Sequence, residues 1–136
     1  MNIYDFLVSR NSDCKLTDIE KKEVLEKFIE RFVDKQVVSE NILYWNSIKS
    51  EFKTRMKRID FDKLNSINES YLDNLYIYLE RHKEVFIGNI QIIIDFLEQQ
   101  EPWEDTDIIG FDRSFNWFIA LTHEDEIIYI DSYLGI

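Results

Sequence analysis

The sequence offers few residues whose types and spacing could do chemistry. His123-Glu124-Asp125-Glu126 sets one imidazole beside three carboxylates, which are ligand types for a divalent cation. Adjacent residues in a turn rarely converge on one ion, and the second histidine of the zinc-protease helix motif is absent. The cluster is therefore expected to be a charged solvent turn, with a partner-binding turn as the next reading and a metal site as the last. Glu104 with Asp105, and Asp107 with Asp112, are paired carboxylates. They would do acid–base work only where a cleft raised one pKa, and no feature of the sequence marks a cleft. His82, between Arg81 and Lys83, is expected as an exposed turn residue. Cys14 is the single cysteine, so it forms no internal disulfide and no zinc site by itself. Three scattered glycines build neither a phosphate loop nor a dinucleotide fingerprint, and no Gly-x-Ser-x-Gly elbow occurs. These absences point to a protein without catalytic residues, metal or cofactor.

Charge is the most informative feature. The chain carries a net charge of −11. Residues 1–94 hold 16 acidic and 15 basic side chains. Residues 95–136 hold 11 acidic side chains against Arg113 alone, a balance of −10. Such a field repels phosphate backbones and so disfavours direct nucleic-acid binding. It attracts basic proteins and speeds their encounter. Solubility is the plainer use of the same charge. The opposite asymmetry lies at Lys49, Lys53, Arg55, Lys57 and Arg58, and is expected to be the solvent face of a helix.

The elements that must carry these residues fit one domain of 136 residues. Apolar residues make up 45% and aromatics 15%, enough to bury a core without disulfides. The N-terminus lacks a basic segment followed by a long apolar run, so no signal peptide is expected, and the protein is placed in the reducing cytoplasm. Residues 1–73 are expected to be mainly helical. Ile3, Tyr4, Phe6 and Leu7 suggest a short first helix. Thr17 and Glu20 have the spacing of a capping box, opening a helix to about Gln36 with Leu25, Phe28, Ile29, Phe32 and Val33 on one face. Ser39 can cap a second helix ending near Arg58, with Ile42, Trp45, Ile48, Phe52 and Met56 as its stripe. Ser66 and Glu69 allow a further short helix.

Residues 74–136 are expected to hold a hairpin, a helix and a meander. Residues 75–87 read as a β-hairpin; the competing reading is one long helix from Glu69 to Gln100, against which Gly88-Asn89 argues. A helix from Ile90 to about Gln100 follows, and Pro102 lies just beyond it. Three strands come next, at 107–111, 116–122 and 127–130. Gly110 inside a strand suggests a bulge or a close backbone approach. Trp117, Ile119 and Leu121 alternate with Phe118 and Ala120, so both faces of that strand are apolar. It is either covered on both sides or uses one face as an interface. The fold class is α+β, with N-terminal helices on one side of an antiparallel sheet.

The run Asp107-Ile108-Ile109-Gly110-Phe111-Asp112, then Asn116-Trp117-Phe118-Ile119-Ala120, then Thr122-His123-Glu124-Asp125, resembles the small immunity proteins found beside bacterial polymorphic and contact-dependent toxins. Several of those families end in a strand, an aspartate–aromatic turn, a Trp-bearing strand and a His-containing hairpin. The resemblance implies a non-enzymatic inhibitor that covers the active site of a toxin domain, often a nuclease with a basic cleft. The expected contact residues are Glu101, Trp103, Glu104, Asp105, Asp107, Asp112, Glu124, Asp125 and Glu126, with Trp103 as an aromatic anchor or as a cover for the sheet end. Two other classes remain open. One is a regulatory or phage adaptor using the same face. The other is a small metal-dependent enzyme built on His123 and nearby acids.

Overall fold

A computed structural model of the chain describes residues 3–11, 14–35, 44, 47–60, 74–99, 107–122 and 126–131. Their elements run α1 (Ile3–Asn11), α2 (Asp18–Phe32), α3 (Ser50–Lys53), β1 (Lys57–Ile59), β2 (Leu75–Leu79), β3 (Glu84–Gly88), α4 (Ile90–Gln99), β4 (Ile108–Phe111), β5 (Trp117–Leu121) and β6 (Ile127–Asp131). The strands form one antiparallel sheet in the order β1-β6-β5-β4-β2-β3. The fold is α+β.

Local chemistry sets several boundaries. The Glu20 backbone N–H donates to Thr17 Oγ1 while Glu20 Oε1 accepts from the Thr17 backbone N–H, so the capping box opens α2. Residues 75–88 are the hairpin, pairing Leu79 with Glu84 across a four-residue turn. Asn89 Oδ1 accepts from the Ile92 N–H and caps α4. Gly110 marks a close approach. A Cβ there would stand 3.1 Å from Ile119 Cγ2 and 3.9 Å from Ile93 Cδ1.

Apolar side chains of both parities are buried, so the sheet has a core on each face. Leu75, Ile77, Ile108, Trp117 and Ile119 pack under α1 and α4. Tyr78, Ile109, Phe111, Phe118 and Ile130 pack under α2 and α3. Phe28 on α2 sits 4.7 Å from Phe111 and 5.7 Å from Phe118, measured between ring centroids. The expectation of helices on one side of the sheet is thus corrected, and the meander's second apolar face is covered rather than offered as an interface. Each fully buried Ile, Leu or Phe stabilises the fold by about 1.5–3 kcal/mol, which is why neither face is left to water.

The long second helix is also corrected. Among residues 47–60 only α3 is α-helical. Val33 turns extended and buried, ending α2 short of Gln36. It bridges Ile48, with the Asp34 N–H donating to the Ser47 carbonyl and the Lys49 N–H to the Phe32 carbonyl. Lys57–Ile59 then pairs with β6 instead of continuing a helix. Ile48 and Phe52 are buried all the same, so the hydrophobic spacing was met without the helix. Ser39, Trp45, Ser66 and Glu69 lie outside the described residues. No helix among the described residues is long and apolar enough to cross a membrane.

Candidate functional site

Antiparallel pairing collects sequence-distant residues at one end of the sheet. Leu79 opposes Ile108, Ile108 opposes Leu121, and Ile59 opposes Ile127. Just beyond these pairs stand Asp60, Glu80, Asp107, Thr122 and Glu126. The ladder runs one step further, since the Glu80 N–H donates to the Asp107 carbonyl at 3.0 Å. The Thr122 N–H donates to the Glu126 carbonyl at 2.9 Å across the β5–β6 turn.

Three polar side chains are buried in this row. Glu80 is 6% exposed, Asp107 2% and Thr122 0%. Strand alternation puts them on the α2 face, in line with Tyr78, Ile109 and Ala120. Arg81 Nε donates to Asp107 Oδ2 at 2.6 Å, a short charge-assisted bond. Glu80 Oε2 accepts from the Tyr44 N–H at 2.7 Å. The Tyr44 and Tyr78 rings stack at 5.5 Å. Burial pushes the Tyr78 phenol far above its ordinary range, reinforced by Tyr44 and by the negative charge of Glu80. Burial also raises Tyr44. Neither phenol is an acid near neutral pH.

The expected contact residues divide. Asp107 faces inward and its carboxylate is occupied by Arg81, so it does not belong to an exposed acidic surface. Its neighbour at this end, Glu126, is partly exposed and forms an ion pair with Arg58 at 3.5 Å. Asp112 stands at the other end of β4, five residues or about 16 Å away at ordinary strand rise. There its Oδ1 accepts from the Ser114 N–H and hydroxyl and shapes the β4–β5 turn. Phe115 in that turn has a left-handed φ of 55°, and its carbonyl accepts from Arg31 Nε at 3.3 Å. Asp112 and Asp107 therefore do not share a patch. Glu101, Trp103, Glu104, Asp105, Glu124 and Asp125 lie outside the described residues, as does His123.

Metal chemistry is not assembled among the described residues. No group of three or more His, Cys, Asp or Glu is placed to hold an ion there. Cys14 is half-buried. His82 is exposed and stacks on Tyr4 at 5.2 Å. Compared with protein-family models and with curated proteins, the chain matches none. A shallow groove of about 330 Å³ lies between α2 and the β4–β5 turn, floored by Val24, Tyr76 and Ile87. Glu20, Glu23, Lys27 and Arg113 at its rim carry both signs of charge, so it selects no partner by charge. The basic stretch does not lie along one helix, since Lys53 ends α3 while Lys57 and Arg58 stand on β1, and these three are exposed. Lys49 Nζ donates to the Glu30 carbonyl near the end of α2, Arg58 meets Glu126, and Arg55 lies over the Phe52 ring.

The cluster of Glu80, Arg81 and Tyr44 escaped the sequence reading. One signal was present. Glu80 continues the parity of Tyr76 and Tyr78, so a strand reaching one residue further turns its carboxylate inward. The cue needed the second helical layer to be known.

Proposed function

We propose that this protein is an immunity-type inhibitor that binds a basic toxin domain through an acidic surface. The observation that carries this reading is the charge asymmetry, 11 acidic side chains against one basic one in residues 95–136. A patch of that sign suits the cleft of an enzyme that handles nucleic acid, and it speeds capture of such an enzyme. Sheet topology supports the reading, because Asp107, which follows one acidic run, and Thr122 and Glu126, which flank another, share one end. The contact set is accordingly Glu101, Trp103, Glu104, Asp105, Glu124, Asp125 and Glu126. Asp107 and Asp112 are left to structural roles. Binding is by surface complementarity, without catalysis or cofactor, in the reducing cytoplasm that the lone cysteine favours.

The test is affinity capture from the native cell at low and high salt, read by mass spectrometry. A single stoichiometric basic protein, lost at high salt and toxic when expressed without this chain, is the expected result. A captured partner whose expression is harmless would shift the reading to a regulatory adaptor. Failure to capture any protein at low salt would refute it.

A further inference from the structure

The α2 face of the sheet closes unevenly. Val85, Tyr78 and Ile109 stand in one row across β3, β2 and β4 and are buried. In the next row on that face, Ile87 opposes Tyr76 and Tyr76 opposes Phe111. Here Ile87 and Tyr76 are only half-buried, because they floor the groove between α2 and the β4–β5 turn. Val24 from α2 and Phe115 from the turn add half-buried apolar walls. The left-handed φ of 55° at Phe115 is costly for a bulky side chain, and such conformations collect at ligand clamps. Ring contacts with Phe111 at 5.7 Å and Tyr76 at 6.4 Å hold Phe115 in place, and its carbonyl accepts from Arg31 Nε at 3.3 Å.

Taken whole, the rim of the groove is balanced in charge, but its two ends differ. Glu20, Val24, Lys27 and Arg31 follow one edge of α2, at the i, i+4, i+7 and i+11 spacing of a single helix stripe. Eleven residues of helix span about 16 Å. An acid therefore stands at the start of that edge and two bases at its end. Glu20 is engaged in the capping box. At the turn end Arg113 joins Lys27 and Arg31. Among the described residues, these three cations form no ion pair.

We propose that this groove takes a short extended segment of a partner protein. An apolar side chain of the segment rests on the Tyr76–Ile87 floor, and a neighbouring carboxylate meets Lys27, Arg31 and Arg113. The volume of about 330 Å³ lies at the small end of ligand sites, so it suits a few residues of extended chain and not a helix. The guanidinium fork matches the two oxygens of a carboxylate. Arg31 is fixed in advance, since its Cζ lies 5.6 Å from the Phe32 ring centroid and 5.0 Å from that of Phe52. A side chain held this way loses little freedom when it binds. The groove lies at the far end of β2 and β4 from Asp107, so this surface stands independently of the acidic contact set.

Amide chemical shifts of the full-length chain, followed during peptide titration, test this. The probe is the acetylated and amidated peptide Ser-Leu-Val-Glu-Ser, compared with the same peptide carrying Gln or Lys in place of Glu. The Glu peptide should shift the Val24, Tyr76 and Ile87 amides and bind about fivefold more tightly than the Gln peptide. The Lys peptide should bind most weakly. Lys27→Glu with Arg113→Glu should reverse that order and favour the Lys peptide, with amides away from the groove unchanged. Equal binding of all three peptides to wild type would reduce the groove to apolar adhesion and overturn the proposal. Shifts confined to other residues, or none at millimolar peptide, would overturn it too. Shifts at the groove that grow with protein concentration alone would assign it to a second copy of this chain instead. If the double variant fails to fold, the three peptides on wild type decide between the same outcomes.

Discussion

Tyr78 and Asp107 show how burial changes the meaning of a polar residue. Tyr78 has an ordinary phenol pKa of 10.0 when unfolded, and burial raises it well above that in the folded chain. The folded form therefore keeps its proton where the unfolded form loses it. That contribution to stability is complete below pH 10 and fades as pH rises beyond it. Urea unfolding at successive pH values from 8 to about 11 should show stability falling at the alkaline end. The fall should be shallower in Tyr78→Phe than in wild type; equal slopes would mean that Tyr78 does not supply the linkage. Asp107 carries the parallel lesson. Its position in an acidic run suggested a contact residue, yet its carboxylate is enclosed and bonded to Arg81. A charge census counts it with its exposed neighbours, but strand parity turns it inward.

Helix starts and strand alternation were legible at the scale of elements because they depend on near neighbours. Thr17 and Glu20 define the start of α2, Asn89 defines the start of α4, and the tyrosine-rich run at 75–79 defines β2. The stretch from Ile48 to Ile59 was not legible. Its apolar spacing fits a helix, but β6 offered an unpaired edge and Val33 offered a bridge. Both contacts come from residues remote in sequence. Gly110 belongs to this scale as well. Gly110→Val should destabilise the fold by about 1–3 kcal/mol, the usual range for overpacking, because its branches press on Ile119 and on α4. Thermal unfolding measures this directly. A variant as stable as wild type would mean that α4 lifts off the sheet at little cost.

Charge acts at the scale of the whole molecule. The −10 balance of residues 95–136 is partly offset in space, where Arg58 reaches Glu126 and Arg81 reaches Asp107. The net field that a partner meets is set by which acids remain uncovered. For the captured partner, Glu104→Lys with Asp105→Lys should weaken binding at least tenfold at low ionic strength, about 1.4 kcal/mol. It should also flatten the dependence on salt, since screened long-range attraction is the quantity removed. Titration calorimetry at two salt concentrations measures both effects. Unchanged affinity would move the contact surface away from these residues. Asp107 is excluded from the pair, because a lysine there would be buried against Arg81 and would test folding instead.

The sequence by itself determined the α+β class, the capped helices, the hairpin, the three-stranded meander and the lopsided charge. All of these follow from composition or from residues within a few positions of one another. Only the tertiary structure decided that the sheet is covered on both faces, that residues 57–59 form a strand, and that Asp107 faces inward while Asp112 stands at the far end of its strand. The physical reason is that sequence spacing fixes which side chains share a face. What that face meets is fixed by hydrogen-bond and apolar partners that arrive from elsewhere in the chain.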